Sequence, residues 1–206
     1  MKFVRLAVAV AAIAVAGIVT AASGVTRPGA RGLRWDFLDV NLATKQIVPG
    51  GTDTSKDAAT GDTLSLTGTG QFTPSRKLAS GGGSFVHKHA DGSVVAQGFY
   101  YVTGFRSYRV GGGEPPKGFV DRVARGQGTP LDGILIMTIR MVPVVDGKPQ
   151  AAQTATLRIN CAFEHNHIGL KETDEGFELR SGSLSFKPAQ ATPMTDLSAT
   201  VFHRLR

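Results

Sequence analysis

Glycine and proline constrain this chain more than any other feature. Twenty-six Gly and ten Pro in 206 residues punctuate nearly every apolar stretch, which leaves long helices hard to place. Between these breaks, apolar and polar residues alternate with the period of two expected of half-buried strands. Eight segments carry the pattern: Leu33 to Leu42, Thr63 to Phe72, Gly83 to His89, Val94 to Val110, Ile134 to Val145, Ala152 to His165, Gly176 to Phe186 and Ala199 to Leu205. The chain is therefore expected to be all-β, with a single antiparallel domain of about eight strands over residues 33–206.

Short turns support sequential pairing. Asp91-Gly92 and Asp146-Gly147 each sit between apolar runs and supply the positive φ angles of tight hairpins. At the second, a three-residue loop Asp146 to Lys148 aligns Ile139 with Ala155 and keeps the inward faces together. Ser181-Gly182-Ser183 shifts the alternation from Phe177/Leu179 to Leu184/Phe186, as a bulge would. Pro49 to Asp62 shows no apolar period and reads as a loop, and Gly111 to Pro130 reads as a long connection with room for a helical turn at Phe119 to Ala124. Gly98 and Gly104 share a face with Ala96, and small residues on one face let a sheet curl. An up-and-down β-barrel is favoured over a two-sheet sandwich.

The N-terminus speaks to compartment. Lys2 and Arg5 precede the apolar run Leu6 to Val19, and Thr20, Ala21 and Ala22 supply the small residues of a cleavage site. Residues 1–22 are expected to be a signal peptide and residues 23–32 a flexible leader, so the mature protein is placed in the periplasm or the medium. The run is too short for a comfortable bilayer span, so no stable membrane insertion is expected after cleavage. Removing Lys2 and Arg5 lowers the net charge from +7 to +5, and the other basic residues are spread along the sequence. No nucleic-acid patch is expected from such a distribution. Cys161 is the only cysteine, so no internal disulfide can form and no thiol stands at the cleavage point for a lipid.

One resemblance spans Thr63 to Val110. The runs GTGQF, GGGSF and ADGSVVAQG resemble repeats of small exported bacterial β-barrels of unassigned function, which are loosely similar to allene oxide cyclase and dirigent barrels. The resemblance implies a barrel whose interior takes a small apolar molecule. No residue set here matches the catalytic positions of the cyclases.

The chemistry-bearing residues are mostly histidines. His87-Lys88-His89 and His165-Asn166-His167 are two His-x-His pairs, and residues two apart on a strand face the same way. Cys161, His165 and His167 share the apolar parity of Ala155, Leu157 and Ile159, so they are expected together on the inward face of one strand end. With His87 and His89 they form a candidate metal set for Zn or Cu. The competing reading makes the histidines ordinary polar groups at strand ends and Cys161 a buried filler. His87 and His89 follow a glycine at the spacing of the first cupin motif, but the Glu that should come next is missing, as is the second motif. Tyr100, Arg106 and Tyr108 share one parity and are a candidate ligand-binding set. Nucleophile-elbow, phosphate-loop and zinc-protease motifs are absent. The first function expected is thus an exported barrel that binds a small apolar ligand. The alternatives are a metal-assisted or cyclase-like barrel enzyme and a structural or interaction protein of the cell envelope.

Overall fold

The computed structural model describes residues 32–41, 43–115, 117–123, 128–188 and 197–205. The expected signal peptide and all but the last residue of the leader lie outside them. In chain order the strands are β1 (Leu33–Asn41), β2 (Gln46–Pro49), β3 (Thr52–Asp57), β4 (Thr63–Thr67), β5 (Thr69–Thr73), β6 (Leu78–Lys88), β7 (Val94–Val110) and β8 (Val120–Asp121). They continue as β9 (Gly128–Leu131), β10 (Gly133–Val145), β11 (Lys148–Pro149), β12 (Gln153–Cys161), β13 (Gly176–Ser181), β14 (Leu184–Pro188) and β15 (Leu197–Leu205).

Eight of these close into an antiparallel barrel. The ring runs β3, β4, β6, β7, β10, β12, β13, β14 and returns to β3, in sequence order throughout. Closure leaves no free edge among the ring strands. Alternation then decides what fills the centre. Leu64 and Leu66, Phe85, Leu135 to Met141 at odd numbers, Leu157 and Ile159, Phe177 and Leu179, and Phe186 all join one buried core. The interior is occupied by these side chains.

The eight ring strands are not the eight sequence segments. Pro49 to Asp62, expected as a loop, contains the ring strand β3, which turns Asp53, Ser55 and Asp57 inward and Thr52, Thr54 and Lys56 outward. Its alternation is intact, but no inward residue is apolar. The expected bulge at Ser181-Gly182-Ser183 is a hairpin: Ser181 pairs with Leu184, so one expected strand becomes β13 and β14. At Asp146-Gly147 the turn has two residues, with Val145 opposite Lys148 and positive φ at both turn positions. Ile139 still faces Ala155, because the extra residue lies after β11 instead. Among the described residues of 111–130 there is no helix, and β8 pairs in parallel with β2.

The first and last expected strands lie outside the ring. β1 pairs with β15 along most of its length and with β5, the continuation of β4 beyond Gly68. This sheet crosses one mouth of the barrel. Phe37 donates its backbone N–H to the Gly68 carbonyl and sets its ring 5.8 Å from Phe177. Phe202 packs edge-on against Phe72 and Tyr108. Trp35 lies fully buried over Gly70 and Gly81, where an added Cβ would come within 2.5 and 2.9 Å of the indole. Two of the glycines that interrupt the sequence pattern are therefore the seat of the single tryptophan.

Candidate functional site

The structure separates the two His-x-His pairs. His87, near the end of β6, lies at the mouth opposite the β1–β15 sheet, against the Phe186 ring at 5.3 Å. Its Nε2–H donates to Asp62 Oδ2 at 3.1 Å, while His89 Nδ1 lies 3.4 Å from the same oxygen with most of its side chain in solvent. Burial works to raise the Asp62 pKa, but the two imidazole hydrogen bonds outweigh it and hold the carboxyl below its usual range. Nothing in the sequence pattern links Asp62 to these histidines, since it ends a segment with no apolar period.

The second pair does not follow the strand. Cys161 ends β12 fully buried, and burial drives its thiol pKa well up, so it stays a protonated core group. The chain then leaves the sheet: Ala162 gives its N–H to the Glu175 carboxylate, and His165 adopts φ of 58° in a turn. His165 and His167 are both exposed. The expectation that they continue the inward face beside Cys161 is thus corrected, because parity carries only as far as the extended backbone does. No group of three His, Cys, Asp or Glu among the described residues is arranged to hold a metal ion.

Tyr100, Arg106 and Tyr108 are also parted. Two register shifts against β10 make Thr103 and Arg106 extra residues, and each extra residue inverts the alternation that follows. Tyr100 and Tyr108 consequently both face the interior, where their hydroxyls donate to the carbonyls of Thr67 and Asp132. Arg106 turns outward to Thr156 Oγ1 at 2.9 Å. The two tyrosines are packing groups with bonded hydroxyls, and the arginine belongs to the wall.

Two buried polar clusters were not legible in the sequence. Glu175 lies half-buried near the capped mouth and accepts hydrogen bonds from Ala162 N–H, Thr200 N–H and the Thr200 hydroxyl. Burial is the main reason its pKa is pushed up to about 7, and Asp53 adds to it. On the outer face of the β1–β15 sheet, fully buried His203 meets Asp121 at 2.5 Å beside the Arg34–Asp36 ion pair of 2.7 Å. Both clusters tie strands together.

The open site is on the outer wall. A groove of about 570 Å³ runs over β10, β12, β13 and β14 and is bordered by the loop of Ile168, Gly169 and Leu170. Four cations line it, Arg109, Arg158, Arg180 and Lys187, against the two carboxylates Asp174 and Glu178. Glu178 is held by Arg158 Nη1 at 2.6 Å. Asn160, only 1 % exposed, gives its Nδ2–H to the Asp174 carbonyl and so fixes the bordering loop. Its Oδ1 and the Arg158 Nε have no hydrogen-bond partner among the described residues. Buried polar atoms in that state are costly to the fold.

A second, apolar concavity lies elsewhere on the wall, lined by Val86, Gly98, Phe99 and Val144 among others. Phe99 is exposed there by 43 %. Comparison with known protein families, curated proteins and solved structures finds no match, so the reading of these sites rests on their own geometry.

Proposed function

We propose that this chain is an exported binding protein that meets its ligand on the outer wall of a packed barrel, and that the ligand carries carboxylate or phosphate groups. The observation that carries the reading is the groove, with twice as many cations as anions along its lining. Guanidinium groups offer planar paired donors that match both kinds of anion.

An apolar ligand in the barrel interior is less well supported, because Leu66, Met137, Leu157 and Phe186 already fill that space at no more than 1 % exposure. Export is supported by the N-terminal basic, apolar and small-residue segments. A barrel working in water is supported by the charges on its outer wall and by β3, β4 and β14, which at six, five and five residues fall short of a membrane-spanning strand.

The test is a titration of the purified protein with digalacturonate, with inorganic phosphate and with a fluorescent fatty acid. Saturable binding of one of the two anions, weakened roughly tenfold or more in an Arg109→Gln/Arg180→Gln variant, is the expected result. Saturable binding of the fatty acid alone would return the site to the interior.

A further inference from the structure

The groove is one end of a longer feature that only the strand register reveals. Arg158 on β12 stands directly opposite Glu178 on β13. One step from the Leu179 and Phe186 pair, Glu178 neighbours Lys187 on β14. Lys187 stands opposite Lys56 on β3, Lys56 opposite Thr63 on β4, and Thr63 opposite Lys88 on β6. Arg158, Glu178, Lys187, Lys56 and Thr63 each alternate with a buried inward neighbour, and Lys88 is exposed beside half-buried His87, so all six side chains point outward. Six adjacent strands thereby present one row of four cations, whose single carboxylate is already paired with Arg158. At the usual strand spacing the row covers about 24 Å of the wall.

Within the row, Lys56 and Lys187 face each other as a direct cross-strand pair, and both are exposed. Like charges in that position destabilise a sheet. Nothing in the fold requires the pairing, because either position is a wall site open to any strand-compatible polar residue. An anion shared between the two ammonium groups removes the conflict and gives the arrangement a use.

The row contains no aromatic side chain on which a nucleobase could stack, a usual part of single-strand nucleic-acid sites. Its flanks carry hydroxyls instead: Thr54 bonds Ser65 at 2.8 Å, and Thr67 bonds Ser84 at 2.8 Å. We infer that the row binds an extended acidic polysaccharide, laid from the groove across Lys187 and Lys56 to Lys88, with its anionic groups over the cations and its hydroxyls beside those of the wall. This deepens the proposed function and rests on the groove being an anion site.

The test compares polygalacturonate with digalacturonate on the purified protein, in three forms: wild type, Lys56→Gln/Lys88→Gln and Arg109→Gln/Arg180→Gln. Lys56 and Lys88 lie outside the groove lining, so the variants separate the two claims. Wild type is expected to bind the polymer roughly a hundredfold more tightly than the dimer, through added contacts along one chain. Lys56→Gln/Lys88→Gln should bring the polymer down towards the affinity of the dimer and leave the dimer unchanged. The same variant should melt about 1–2 °C higher, because the facing lysines are relieved, an effect opposite in sign to general damage. Arg109→Gln/Arg180→Gln should weaken both ligands.

Equal affinity for polymer and dimer in the wild type, or a lysine variant that keeps the wild-type ratio, overturns the extended row and leaves the groove standing. An arginine variant unchanged for both ligands overturns the groove. Linear polyphosphate serves as a second polymer: if it replaces polygalacturonate with the same variant pattern, the anionic groups are phosphates. Failure of both polymers to bind overturns the inference, as does tighter binding of a single-stranded oligonucleotide of equal charge.

Discussion

β10 and β3 line the same barrel by opposite means. β10 turns Leu135, Met137 and Ile139 inward at zero exposure, against Ile159, Leu157 and Ala155 of β12. β3 turns Asp53, Ser55 and Asp57 inward at 7, 0 and 4 % exposure. Each of these polar residues has a backbone partner: Asp53 accepts from Thr54 N–H, Ser55 donates to the Phe177 carbonyl, and Asp57 accepts from Ala59 and Ser185. A barrel wall thus needs alternation, and polarity inside is acceptable wherever hydrogen bonds replace the lost water. The difference also bears on function, since an interior sealed by apolar packing on one side and backbone bonds on the other leaves the wall as the accessible surface.

The apolar side should give the largest response. Leu157→Ala is expected to cost about 2–5 kcal/mol in denaturant unfolding, because Met137 opposite it cannot close the gap. A much smaller loss would mean that the interior is looser than its burial implies. Glu175 gives the next effect. Its pKa rises on folding from about 4.5 to about 7, so between those values the folded protein holds a proton that the unfolded chain has released. Stability therefore falls as pH rises through that window, by on the order of 3 kcal/mol. Melting curves from pH 4 to pH 8 should show this slope in the wild type and lose it in Glu175→Gln.

On the polar side, Ser55→Ala strands the Phe177 carbonyl and is expected to cost about 1–3 kcal/mol in the same unfolding experiment. An effect near zero would make the β3 bonds incidental. The wall should respond least in stability. Glu178→Gln breaks a partly exposed ion pair and should cost no more than about 1 kcal/mol, while it frees Arg158 and tightens digalacturonate binding.

The apolar strands were legible because their inward residues are the ones a hydrophobic pattern detects. β3 was not, since Asp53, Ser55 and Asp57 have the right period and the wrong polarity for that pattern. Tyr100, Arg106 and Tyr108 lie at even spacing, but the extra residues Thr103 and Arg106 are defined only by the partner strand. The same holds for Asp62, whose meeting with His87 and His89 depends on pairing between β4 and β6. Cys161 was correctly placed on an inward face, whereas His165 lay past the point where Glu175 draws the Ala162 N–H and the strand ends. Of the wall cations, Arg158 and Lys88 lie in expected strands, whereas Lys56 falls in the segment read as a loop and Lys187 just past an expected strand end, and the row they form exists only in the register.

The most direct measurement is amide chemical-shift mapping of the labelled protein, titrated in parallel with digalacturonate and with a medium-chain fatty acid. The account predicts that digalacturonate shifts amides around Arg109, Arg158, Arg180 and Lys187, and that neither ligand produces saturable shifts centred on Met137, Leu157 and Phe186. Saturable shifts centred on those inward residues with the fatty acid, and none along the groove with the uronate, would contradict it.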